Sequence, residues 1–112
     1  MLPKSQSLNL KKDFKWVASG KKLETKYLKL FIKLGENQIP KAAVAVSSKV
    51  FPKATERNRA RRIVSAAIES LYLNLPSKVN IIALPKRGVI EVKSGDILLD
   101  LKTILEDEKI IN

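Results

Sequence analysis

The chain has no cysteine, no histidine and only four glycines. Without cysteine there is no disulfide framework and no thiolate zinc site, which suits a reducing compartment. Without histidine, the commonest general base and a common metal ligand are both missing. Four glycines leave no glycine-rich phosphate cradle. No P-loop, GxGxxG, metal-ligand spacing or nucleophile–base pair is present. No apolar run approaches the ~20 residues that span a bilayer, and the opening stretch MLPKSQSLNLKKDF has no signal-peptide core. Carboxylates are scattered at Asp13, Glu24, Glu36 and Glu56, with a further set in the last third, and none pairs as a catalytic dyad. The expectation is a soluble, intracellular protein with no membrane partner and no small-molecule substrate. Its own side chains are not expected to break bonds.

What the chain has in quantity is positive charge. Its 112 residues hold 22 Lys+Arg against 11 Asp+Glu, a net of +11. An apolar fraction of 45% allows one core, so a single domain over 1–112 is expected. The charge is uneven. Residues 1–62 carry a net +12 and residues 63–112 a net −1. A basic half of that strength points to a polyanionic partner.

Periodicity places the elements. Leu10, Phe14, Val17 and Ala18 make one apolar stripe, so NLKKDFKWVAS is expected to be a helix stopped by Gly20. TKYLKLFIKL alternates: Tyr27, Lys29, Phe31 and Lys33 share one face, and Leu28, Leu30, Ile32 and Leu34 the other. KAAVAVSS is expected to be a buried strand and KVFPKAT a connector broken by Pro52. A helix from about residue 53 to about residue 73 places Ala60, Ile63, Val64, Ala67, Ile68 and Leu71 on one arc, with Asn58, Arg62, Ser65 and Glu69 opposite. VNIIAL is a short apolar strand, and KRGVIEVK is a loop or a weak edge strand. SGDILLDLKTILEDEK is a helix capped by Ser94, with Asp96 in its first turn and a stripe of Leu98, Leu101 and Leu105. The residue pattern therefore gives helix, strand, strand, helix, strand, helix.

The stretch ATERNRARRIV concentrates the charge. Arg57, Arg59, Arg61 and Arg62 stand within six positions, with Asn58 among them. Arg57 and Arg61 are i, i+4 neighbours, and Arg59 and Arg62 are i, i+3 neighbours, so they repel one another. They also occupy the first turns, where the helix dipole disfavours cations by about 0.3–1 kcal/mol each. Local stability did not select this pattern. Bound phosphates would reverse the penalty, because guanidinium forks pair with phosphate oxygens and stay charged. The plain alternative is a solvated charged face. Against it, Glu56 and Glu69 are the only acids on this helix.

Two weaker signals accompany it. Phe14, Trp16, Tyr27 and Phe31 lie among Lys12, Lys15, Lys29 and Lys33, a mixture that can stack unpaired bases. Phe14 suits a core as well as it suits a cleft. Tyr27 and Phe31 are expected to cover the second face of the sheet, and Trp16 packs either on RNA or on the last helix. VSSKV ends a strand just before the arginines, which is a reasonable place for a phosphate grip.

At VSSKVFPKATERNRARRIV the sequence resembles the bacterial ribonuclease P protein component. The family's strand end is matched by Val46, Ser47 and Lys49, and its arginine motif by Arg57, Asn58, Arg59, Arg61 and Arg62. LKKDFKWVASG, VNIIALPK and SGDILLDLKTIL follow the family's first helix, late strand and closing helix in order. The resemblance implies a small α+β domain, α-β-β-β-α-β-α, with a mixed sheet and a left-handed β-α-β crossover. It implies docking on ribonuclease P RNA through Arg57, Asn58, Arg59, Arg61 and Arg62, beside Ser48, Lys49 and Lys53. It implies a cleft for the 5′ leader of precursor tRNA at Phe14 and Lys12. Endonucleolytic leader removal, and the Mg²⁺ it uses, would belong to the RNA. Departures stand at Ala18, where the family has a second aromatic, at Ser65 and Leu84, often basic, and at Phe51 and Pro52, where glycine is usual. Two other classes compete: a general RNA-binding or ribosome-associated structural protein, and a protein-only nuclease using carboxylates and metal.

Overall fold

Residues 79–85, VNIIALP, offer no polar face, and a strand of that kind is stable only when covered on both sides. In the computed structural model, which describes residues 2–111, this strand lies inside the sheet with helices on both faces. The elements are α1 (Leu10–Ala18), β1 (Lys21–Glu24), β2 (Leu28–Leu34), β3 (Lys41–Val44), α2 (Ala54–Leu71), β4 (Val79–Pro85) and α3 (Ser94–Asp107). Short 3₁₀ turns occur at Lys4–Gln6, Tyr72–Asn74 and Arg87–Glu91.

The sheet order is β1-β2-β4-β3. β1 and β2 form an antiparallel hairpin, with Lys21 opposite Ile32 and Glu24 opposite Lys29. β2 runs antiparallel to β4, from Leu28↔Pro85 to Leu34↔Val79. β3 is parallel to β4, from Lys41↔Asn80 to Val44↔Ala83, and α2 supplies the crossover between them. This α-β-β-β-α-β-α order is the one the resemblance implies. The residue pattern alone passes over β1, because KKLE is a four-residue edge strand with a single buried side chain, Leu23, and no readable alternation.

The two sheet faces hold two apolar layers. Leu23, Leu28, Leu30, Ile32, Ala42, Val79, Ile81 and Ala83 pack with α2 and α3. Ala60, Val64, Ala67, Ile68 and Leu71 fill this layer from α2, and Ile97, Leu101 and Leu105 from α3. On the other face, Ile82, Phe31, Ala43, Ala45 and Leu84 meet Leu10, Phe14 and Val17 of α1. Phe51, in the connector before α2, is fully buried in the larger layer.

Several expectations change. Ser65 is buried rather than facing out, because a short side chain on a helix is covered by the longer ones one turn away. Leu34 is exposed, since it ends β2 beyond the helices' cover. KRGVIEVK is neither a plain loop nor a strand: it holds the 3₁₀ turn Arg87–Glu91, which buries Val89. Ser94 is the first residue of α3 rather than its cap. The cap position is Lys93, whose amide donates to Asp96 Oδ2 at 3.0 Å. Gly20 does not take a left-handed conformation, so it is not the expected helix stop of that type. It is glycine because a Cβ there would run into the carbonyl oxygen of Ile32 and lie 2.8 Å from Lys33 Cβ.

Candidate nucleic-acid interface

α2 starts with cations in its first turns, and their side chains have unequal fates. Arg57 Nη1 donates to the carbonyls of Phe51 and Pro52, each at 2.9 Å, and so fastens the helix to its connector. Arg61 Nη1 donates to Asn58 Oδ1 at 3.0 Å. Arg59 and Arg62 are exposed and have no hydrogen bond or ion pair among the described residues. The motif thus divides into a structural arginine, an arginine held by asparagine, and two arginines with nothing from their own chain to bind.

The acid that lines a cavity with Arg59 and Arg62, Glu56, does not neutralise them. Glu56 is chelated by Arg87, and this hydrogen bond holds its carboxyl below the usual carboxylate range. Glu24 is likewise engaged by Lys86 Nζ at 2.8 Å, and its carboxyl too is lowered by that bond. Two acids of the basic half are therefore tied to two consecutive cations that follow β4.

Ser48, Lys49 and Lys53 are all exposed in or beside the connector between β3 and α2. The Lys49 amide donates to Ser47 Oγ at 3.1 Å, which shapes the turn. Nearby is a cavity of about 430 Å³ lined by Lys29, Ala45, Ser47, Leu84, Lys86 and Arg87 among others. Ala45 and Leu84 belong to the layer that also holds Phe14 and Phe31, so the cavity opens on the α1 face of the sheet. No α1 residue lines it.

Phe14 settles between its two expected roles. It is half-buried and meets Phe31 edge to face, with ring centroids 5.9 Å apart and planes at 81°. Lys12 is exposed on the same helix. Trp16 packs on the far end of β2 rather than on α3: Lys33 Nζ lies 5.1 Å from its ring centre, and its Cη2 would lie 2.7 Å from a Cβ placed at Gly35. Tyr27 does not share a face with Phe31. It precedes β2 in a bend fixed by Thr25 Oγ1, which accepts from the amides of Tyr27 and Leu28. From there it packs with the α2–α3 layer and borders Asp96 and Thr103. Strand alternation does not hold for a residue outside the strand.

The expected site residues therefore fall into two groups on opposite faces of the sheet: residues 57–62 on α2, and Phe14 with Lys12 on α1. The connector carrying Ser48, Lys49 and Lys53 runs from β3 to α2. Lys86, Arg87 and Lys93 escape sequence reasoning. The only available sign was a basic pair, Lys86 and Arg87, directly after an apolar strand. Among the described residues no group of three or more His, Cys, Asp or Glu is placed to hold a metal ion. None of their helices is long and apolar enough to cross a membrane.

A family model described as Ribonuclease P matches residues 2–109. No curated protein sequence matches the chain. Among solved structures, the RNase P protein of Thermotoga maritima superposes with a TM-score of 0.78 at 24% identity, over 90% of this chain and 96% of that one. The RNase P protein of Staphylococcus aureus gives 0.79 at 16% identity, over 96% and 98%.

Proposed function

The chain belongs to the ribonuclease P protein family, and on that premise we propose that it is the RNA-binding subunit of a cytoplasmic ribonuclease P, one domain over residues 1–112 that pairs with ribonuclease P RNA and with precursor tRNA. α2 docks on the catalytic RNA. The α1 face of the sheet holds the single-stranded 5′ leader. The observation that carries the first part is the pair of exposed arginines, Arg59 and Arg62, which share a cavity wall with one acid, Glu56, that is already chelated by Arg87. Cations left unpaired on a helix that gains nothing from them are explained by phosphates supplied from outside. The second part is supported by a sheet face that carries both the Phe14–Phe31 ring pair and a cavity lined by Lys29, Lys86 and Arg87, apolar rings and cations on one face, which suits unpaired bases and their backbone.

In this scheme the chain contributes position and charge, and Mg²⁺ held by the RNA subunit supplies the hydrolytic chemistry. Arg59, Arg62, Lys49 and Lys53 lower the repulsion between crowded phosphates. Arg57 keeps α2 in place against residues 51 and 52. Phe14 and Lys12 orient the leader.

The test is precursor tRNA cleavage at low Mg²⁺ with the protein alone, the cognate RNA alone, and both. Strong stimulation in the mixture is expected, with no cleavage by the protein alone. Absence of stimulation overturns the proposal and leaves a structural RNA binder. Cleavage by the protein alone overturns it in favour of a protein nuclease.

A further inference from the structure

Beside Arg59 and Arg62 the surface is concave. A groove of about 500 Å³ runs between α2 and the start of α3. Its cations are Arg59, Arg62 and Lys93, all exposed, and its apolar residues are Ile63, Ala66 and Val92, all half-buried. The groove thus has a basic rim and an apolar floor. We propose that it takes one unpaired nucleotide of the RNA partner, with the base on Ile63, Ala66 and Val92 and the flanking phosphates on Arg59, Arg62 and Lys93. The inference rests on α2 being the RNA-docking helix, and specifies what that helix recognises.

A phosphate row alone explains the rim but not the floor. Duplex RNA presents phosphates and hydroxyls to a protein while its bases stay stacked inside. Such a surface would leave the three apolar residues wet. A base turned out of the helix has an apolar face to lay on them, and guanidinium planes stack on bases as well as binding phosphates. The groove is also of a size for the job, since sites for single small molecules run from about 300 to 1,000 Å³.

The surrounding charges favour an anionic occupant. A second cavity, of about 340 Å³, shares Arg59 and Arg62 and adds Glu56, the one acid on its wall. That carboxylate is committed to Arg87 through both oxygens. Asp96, the acid in the first turn of α3, is committed to the Lys93 amide. α3 itself begins at Ser94 on the groove wall, which adds the partial positive charge of a helix start.

The test uses the whole protein and three hairpin RNAs of equal length: fully paired, with a single purine bulge, and with an abasic site at that bulge. The bulged hairpin is expected to bind about tenfold tighter than the paired one, the abasic bulge losing most of that gain. Ala66→Leu, which adds volume to the floor without charge, should erase the bulge preference and keep the salt dependence. Arg59→Ala with Arg62→Ala should flatten the salt dependence on all three RNAs. Equal affinities for the three hairpins, with the arginine effect intact, overturn the groove and leave the docking helix standing. A bulge preference that survives Ala66→Leu also overturns the groove, because the base is then held elsewhere. A salt dependence indifferent to both arginines removes the docking helix and the groove together. The comparison of bulged with abasic RNA uses unaltered protein, so misfolding of a variant leaves a decisive measurement.

Discussion

Arg87 grips Glu56 with both prongs of its guanidinium: Nη1 donates to Oε1 at 2.8 Å and Nη2 to Oε2 at 2.7 Å. The same guanidinium lies 5.6 Å from the centre of the buried Phe51 ring. One side chain thereby joins the turn after β4 to the first turn of α2, and it also lines the cavity on the sheet's α1 face. The two candidate RNA surfaces meet at this residue.

The pair makes stability depend on pH with a definite sign. The Glu56 carboxyl is lowered from its ordinary 4.5, first by its hydrogen bond to Arg87. Its contribution is therefore present above that value and is lost as pH falls through the lowered one. Glu56→Gln should melt slightly below the wild type at pH 7, and the gap should narrow as pH falls below 4.5. Parallel melting curves across that range would sink the assignment. The substitution also frees Arg87, so RNA affinity at low salt should rise rather than fall.

Arg59 and Arg62 are expected to contribute affinity and no stability. Replacing both by alanine should reduce the log–log salt slope for ribonuclease P RNA by about two units. The melting temperature should hold or rise, because the i, i+3 repulsion between Arg59 and Arg62 on α2 is removed. Titrations at several salt concentrations, with a thermal melt of each variant, decide this.

Arg57 should behave in the opposite way. It stands in the same motif, but its Nη1 is spent on the carbonyls of residues 51 and 52. Arg57→Ala is expected to lose about 1–2 kcal/mol in denaturant unfolding. Its salt slope should change less than that of Arg59→Ala or Arg62→Ala. A slope change as large as theirs, with unaltered stability, would refute the division of the motif.

Three glycines should respond to alanine in three ways. Gly20→Ala is expected to lose about 1–3 kcal/mol, because the new methyl meets the backbone of β2 where the β1–β2 register is set. Gly88→Ala should be close to neutral, its nearest neighbour being Tyr27 Cδ1 at 3.8 Å. Gly95→Ala faces open space inside α3 and should gain up to about 1 kcal/mol. Denaturant midpoints for the three variants provide the check.

Phe14→Leu keeps an apolar side chain against Phe31 but removes the stacking face. Binding of a short single-stranded RNA is expected to weaken by about 1 kcal/mol or more, with duplex binding unchanged. Equal single-strand affinities would place Phe14 in the core alone.

The parts legible from sequence were those where one physical demand dominates. Ala60, Val64, Ala67, Ile68 and Leu71 repeat at helical spacing and are buried together. Val79, Ile81, Ile82 and Ala83 are apolar, broken only by Asn80, and the run is buried on both faces. The arginine motif was visible because its charge is unpaired in sequence, and Arg59 and Arg62 remain unpaired in space. What stayed hidden depends on long-range placement. Nothing near Arg57 announces that its guanidinium folds back on two carbonyls. Nothing near Arg87 points to Glu56, 31 residues earlier. Lys93 reaches the groove only because α3 docks against α2. β1 has too few residues to show a period, and Tyr27 follows the alternation of a strand it does not join.

The position of β4 has a consequence for how the chain comes to be folded during its synthesis. β4 is the last strand made and lies between β2 and β3. Its partners are distant along the chain: Leu28 meets Pro85, and Lys41 meets Asn80. Until residue 85 has left the ribosome, β2 has no partner but β1, β3 has no strand beside it, and α2 lacks most of the surface it packs on. The entire +12 half of the protein is therefore exposed before the sheet can close. Such late, long-range closure slows folding. Until then the basic half of the chain is an open polycation with most of its strand pairing still to be made.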